Sequence, residues 1–141
     1  MWRWLRRLAG AGPSPQHQAA ETGDVPAGAD RQRALDALAA QAIAAASAAV
    51  AHRKPAIAEF FSYGATSIHG RYLTPWFLFR TDAELAAARA NGLAAEIERR
   101  VRDELLARGW PAGEMPACAA NFTTQEDIQR RAGGDYWKYF R

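Results

Sequence analysis

Three side chains could assemble a nucleophilic site: Cys118 as thiolate, His69 as its base and an acid such as Asp135 as the orienter of the imidazole. Sequence alone brings none of them together, and a lone cysteine is more often a small buried hydrophobe than a nucleophile. No catalytic residue is assigned on this basis. A small hydrolase or transferase using Cys118 and His69 stands as the alternative reading. The histidines His17, His52 and His69 are spread over three different segments and form no ligand spacing with cysteine or carboxylate, so no metal or cofactor is expected. Gly133-Gly134 reads as a turn, because a phosphate-cradling loop needs more glycines and a helix directly behind it.

Two segments have binding chemistry instead. At 100° per residue, Trp2, Trp4, Leu5 and Leu8 share one arc of the N-terminal segment, while Arg3, Arg6 and Arg7 share the opposite arc. Indole rings at a lipid interface with guanidinium groups toward anionic head groups is what a surface-lying helix requires. About two turns are too short to be helical alone in water. The expected contact is therefore weak, reversible and coupled to helix formation, with an anionic membrane or a partner as its surface. At the other end, Tyr136-Trp137-Lys138-Tyr139-Phe140-Arg141 mixes rings with cations, as single-strand nucleic-acid platforms do. Its alternation also fits an ordinary packed strand, which is the favoured reading.

The elements that must position these residues are legible from caps and periodicity. Residues 10–29 are a Gly-, Pro- and Ser-containing linker. Asp30 is the expected N-cap of a first helix with Leu35, Leu38, Ala42, Ala46 and Ala49 on one face. His52, Arg53 and Lys54 fall near its negative pole, and Pro55 ends it. Residues 56–63 suit either a short helix or an extended run. Thr66–Tyr72 and Trp76–Arg80 are rich in aromatic and β-branched residues and read as strands, the second apolar on both faces and so central in a sheet. Thr81 with Glu84, or Asp82 alone, starts a second helix with Leu93, Ile97, Val101 and Leu105 in one stripe, kinked or split at Asn91-Gly92 and ended by Gly109 and Pro111. A strand around Ala119–Phe122, a short helix from Thr123 or Thr124 to about Arg131 and a closing strand Asp135–Phe140 complete the chain.

The expected fold is α+β: a small mixed or antiparallel sheet of about four strands covered by two main helices, behind a disordered or amphipathic tail. Residues 1–29 form the tail and linker, and residues 30–141 one domain. Of the 141 residues 33 are alanine, so the 49% hydrophobic content overstates the bulk available and the sheet must carry the large side chains. The single cysteine excludes an internal disulfide and leans toward a reducing compartment. Three arginines of the tail supply most of the net charge of +3, leaving a nearly balanced body; this disfavours nucleic acid as partner. Alanine and arginine usage suggests a GC-rich bacterial genome. No apolar run follows the basic tail, so neither a secretory signal nor a membrane span is expected. The reading that remains is a cytoplasmic, non-catalytic binding or accessory protein, immunity- or antitoxin-like in type. It would act through a protein surface, with peripheral contact at the inner membrane added by the tail.

Overall fold

The computed structural model describes residues 27–141, and the fold is α+β. Its elements in chain order are α1 (Ala27–Ala49), β1 (Glu59–Tyr63), a 3-10 turn (Gly70–Tyr72), β2 (Thr74–Phe79), α2 (Asp82–Ala90), α3 (Leu93–Ala107), a second 3-10 turn (Ala112–Glu114), β3 (Asn121–Thr124), α4 (Gln125–Ala132) and α5 (Tyr136–Tyr139). The tail residues Trp2 to Leu8 and most of the linker lie outside the described residues.

The sheet is mixed and has three strands in the order β1-β2-β3. β1 runs antiparallel to β2 with Phe61 opposite Trp76, and β3 runs parallel to β2 with Asn121 opposite Trp76. Trp76–Phe79 is thus the central strand, and the period of two sends its side chains to two separate cores. Phe77 and Phe79 face α1, α2 and α3, where Leu35, Ile43, Leu93, Ile97, Val101 and Leu105 are buried. Leu78 and Phe61 face α4 and α5, where Ile128 and Tyr136 are buried. Burial of each large apolar side chain stabilises by about 1.5–3 kcal/mol. The i,i+4 ion pairs of α3, such as Arg100–Glu96 and Arg102–Glu98, lie near the surface and contribute a few tenths at most. Packing, not charge, therefore orients α3.

Local chemistry sets the boundaries. The Thr81 hydroxyl accepts from Glu84 N at 3.1 Å, and the Glu84 carboxylate accepts from Arg80 N at 3.0 Å, a capping arrangement that starts α2. Asn91 and Gly92 split α2 from α3, as their types predict: the Asn91 side chain accepts from Leu93 N at 2.9 Å, and Gly92 takes φ +83°. Thr124 caps α4 by accepting from Asp127 N at 2.9 Å, and Gly133 ends it in the left-handed conformation.

Four expectations are corrected. The segment 135–140 is not a fourth strand but α5, whose N-cap Asp135 accepts from Lys138 N at 3.1 Å. Its rings therefore pack onto the sheet from outside instead of joining it. Thr66–Tyr72 is a turn followed by the 3-10 turn, and the strand lies earlier, at Glu59–Tyr63. Here the side chains of Gln32 and Asp36 hold buried Thr66, with Gln32 Nε2 donating to Thr66 Oγ1 at 2.5 Å and Ser67 N donating to Gln32 Oε1 at 2.8 Å. Those side-chain bonds replace the ladder a strand would need. The first helix is already formed at Ala27, so Asp30 sits in its first turn rather than at its cap, and residues 27–29 are not linker. His52, Arg53 and Lys54 lie beyond the last turn, and Arg53 instead pairs with Glu96 of α3 and donates to Asn91 O at 3.1 Å.

Candidate functional site

The residues nominated for nucleophilic chemistry are employed separately. His69 caps the first 3-10 turn, its Nδ1 accepting from Arg71 N at 3.2 Å, with Nε2 3.8 Å from Glu114 Oε1. That carboxylate also accepts from Gly70 N at 3.0 Å and from Arg31 at 2.5 Å. The Gly70 amide and then the Arg31 guanidinium hold Glu114 below the usual carboxylate range. Glu114 thus fastens the loop to the start of α1. Cys118 is exposed on the segment before β3, rather than buried as a lone cysteine usually is. Asp135 is occupied in capping α5. No hydrogen bond or ion pair joins Cys118, His69 and Asp135. Among the described residues, no group of three or more histidine, cysteine or carboxylate side chains could hold a metal ion, and no helix is long and apolar enough to cross a membrane.

Compared with known proteins, the chain matches no family model, no curated protein and no solved structure. The surface itself must therefore carry the functional reading.

That surface concentrates at one end of the sheet. α1 runs antiparallel to β1, so its first turns lie where β1 ends and β2 begins, and Gln32 reaches the loop at Gly64, Thr66 and Ser67. The loop that follows exposes Ile68 by 73% and Tyr72 by 42%, and the Arg71 guanidinium stacks over the Tyr72 ring at 5.0 Å. On the opposite face of the same end, α5 leaves Trp137 exposed by 55%. These are three of the four large apolar side chains exposed among the described residues.

Beside Trp137 lies a groove of about 230 Å³, lined by Tyr63 of β1, Trp137 of α5, and Phe140 and Arg141 just beyond it. Its inner wall is rigid. The Phe140 ring meets Phe61 edge-on at 5.2 Å, Trp76 at 4.9 Å and Tyr139 at 4.8 Å. Arg141 is exposed and forms no hydrogen bond or ion pair with the described residues. A wider hollow between α3 and β3 is rimmed by the opposite charges of Arg89 and Glu98, with Trp76 and Phe122 also in its lining.

The groove was not visible while 135–140 read as a strand, because strand alternation places Trp137 and Phe140 on opposite faces. Helical spacing puts them on neighbouring positions, three apart. The signal was present in Asp135 followed by Lys138, a capping distance, and in Tyr136, Tyr139 and Phe140 at helical intervals. Within this helix Tyr136 is buried, Tyr139 and Phe140 pack against the second core, and Trp137 is exposed by 55%.

Proposed function

We propose that this chain is a non-catalytic binding protein that acts on a protein partner through the end of its sheet where α1 starts. The observation carrying this reading is the pair Ile68 and Tyr72, exposed by 73% and 42% in one short loop, with Trp137, exposed by 55%, on the opposite face of the same end. Exposed large apolar side chains gathered in one region mark interaction surfaces, whereas scattered ones need no explanation. Aromatic and arginine side chains are also the types that dominate binding energy at interfaces. An immunity- or antitoxin-like accessory role in a bacterial cytoplasm fits a module of this kind. The segment containing Trp2, Arg3, Trp4, Leu5, Arg6, Arg7 and Leu8 lies outside the described residues and adds binding chemistry of its own. We assign to that segment a weak, reversible contact with an anionic membrane surface.

The test compares the full chain with an Ile68→Ser/Tyr72→Ser/Trp137→Ser variant in affinity capture from the native host. One dominant protein should be retained by the parent and lost with the variant, both giving the same circular dichroism spectrum. Equal retention by the two overturns the assigned surface. Flotation with phosphatidylglycerol vesicles checks the membrane contact, which is abandoned if the full chain does not float.

A further inference from the structure

We propose that the outer edge of β3 and the hollow beside it bind an extended partner segment carrying an apolar residue two positions from an acidic one. This goes beyond the Ile68 and Tyr72 face and takes from the protein-binding reading only the kind of ligand. Among the described residues β3 has β2 as its one sheet neighbour, so the other side of Asn121–Thr124 is a strand edge. At the end of that strand Asp82 of α2 accepts from Thr124 Oγ1 at 2.6 Å, whereas its start opens onto a hollow of about 530 Å³. Small residues leave this space: Ala94 and Ala95 of α3 and Ala120 before β3 line it together with Phe122 and Trp76. Its walls are preformed. Arg102 of α3 donates to Pro116 O at 3.2 Å and to Ala117 O at 2.7 Å, which ties the segment entering β3 to the helix. The Asn121 side chain is fixed in turn by donating to Pro75 O at 3.0 Å. A strand edge beside a groove is a recurring way to take up an extended peptide, with backbone pairing giving affinity and alternate side chains giving specificity.

Charge chooses the ligand. Glu98 is paired with Arg102 at 3.2 Å, while the guanidinium of Arg89, exposed near the end of α2, forms no hydrogen bond or ion pair with the described residues. An incoming carboxylate therefore meets an uncommitted cation, and an incoming cation meets like charge. Side chains alternate along a strand, so an apolar residue for the alanine-lined space and an acid for Arg89 share a face when they stand two apart. A second copy of this chain is the poorer occupant, since a two-fold axis at the edge sets one hollow against another and fills neither.

The experiment titrates the ¹⁵N-labelled full chain with Ac-Thr-Val-Thr-Asp-Thr-amide, whose Val and Asp share a face. Signals of Asn121, Phe122 and the Trp76 indole should shift saturably, and hydrogen exchange of the β3 amides should slow. Ac-Thr-Val-Thr-Lys-Thr-amide should bind about three- to fivefold more weakly, and Arg89→Gln should bind the two peptides alike. Ala95→Phe fills the hollow from an exposed helix position and should weaken the acidic peptide about fivefold or more, with an unchanged circular dichroism spectrum. Absence of saturable shifts, shifts without slowed β3 exchange, or equal affinity of the parent chain for the two peptides overturns the proposal. So does undiminished binding by Ala95→Phe. A dimer in sedimentation that the peptide dissociates would make a second copy the occupant. About tenfold tighter peptide binding by a Trp2→Ala/Trp4→Ala chain would make it the protein's own N-terminal segment. Either result overturns the assignment to a partner. Failure of the titration removes the β3 site and leaves the face of Ile68 and Tyr72 to the capture experiment; failure of the capture removes that face and leaves β3 to the titration.

Discussion

Gly64 shows how a single residue shapes the end of the sheet where β1 passes to β2. Its φ is +136°, and a Cβ placed there would stand 2.0 Å from the Tyr72 carbonyl oxygen. The backbone that leaves β1 is therefore pressed directly against the backbone that enters β2, and this contact folds the intervening loop so that Ile68 and Tyr72 point outward. Gly92 is the natural control, because it too has positive φ, +83°, but nothing lies within 4 Å of a Cβ built on it. Gly92→Ala should cost only the left-handed strain, about 1 kcal/mol. Gly64→Ala adds a backbone collision that no side-chain rotation relieves, so a loss of more than about 2 kcal/mol is expected. Urea unfolding of the two variants makes the comparison, and a Gly64→Ala loss no larger than that of Gly92→Ala would contradict the close approach. The sequence shows a glycine at 64 but not its neighbour across the loop, since that neighbour is eight residues away.

Among the elements, α5 decides what the surface looks like. Its four residues are too few to be helical alone, so it depends on its cap and on the rings it buries. Asp135→Ala should destabilise by about 1 kcal/mol, while Asp135→Asn, which retains an acceptor for Lys138 N, should be nearly neutral. Thermal unfolding of both, with the Trp137 signal as probe of the helix, checks this; a neutral alanine variant would mean that the cap does not hold α5. The same element marks where sequence reading stopped. Helices α2, α3 and α4 were legible because Thr81, Asn91-Gly92 and Thr124 are local signals and the α3 stripe is long enough for its period to be unambiguous. Tyr136–Phe140 is too short for that, and an aromatic run satisfies period two by chance as readily as period 3.6. The strand at Glu59–Tyr63 was equally ambiguous, its extended state being chosen by pairing with Thr74–Phe79 rather than by its own residues. The groove, made from β1 and α5 together, required both of these non-local outcomes.

For the molecule as a whole, polar side chains join helices that the apolar cores leave on separate faces. Asp82 of α2 accepts from Thr124 Oγ1 at 2.6 Å and pairs with Arg130 of α4 at 2.9 Å. Asp127 of α4 accepts from the Tyr139 hydroxyl at 2.5 Å, and that hydroxyl lies 2.6 Å from Thr123 Oγ1 of β3. Since the only proton of the Tyr139 hydroxyl goes to Asp127, Thr123 is the donor in the second bond. Across the sheet, the Tyr136 hydroxyl donates to Glu59 at 2.9 Å. These partners hold Asp82 (first through Thr124) and Asp127 (first through Tyr139) below the ordinary carboxylate range, as Arg80 does for Glu84 and Arg100 for Glu96. Burial, then the neighbouring carboxylates, pushes Tyr136 and Tyr139 above the ordinary phenol range. A carboxylate depressed in the folded state contributes stability that is present above its unfolded pKa and lost as pH falls through the folded one; a phenol raised in the folded state contributes stability lost as pH rises. Stability should therefore be flat near neutrality, fall below about pH 4 and fall again above about pH 10. Asp127→Asn keeps an acceptor for Tyr139 but cannot titrate, so it should shallow the acid limb. By removing the charge that helps raise Tyr139, it should also shallow the alkaline limb in part, with the contribution of Tyr136 remaining, as read from urea midpoints between pH 2.5 and 11. An acid limb unchanged by this substitution would mean that the Asp127 carboxylate is not among the groups coupling α4 and α5 to the fold.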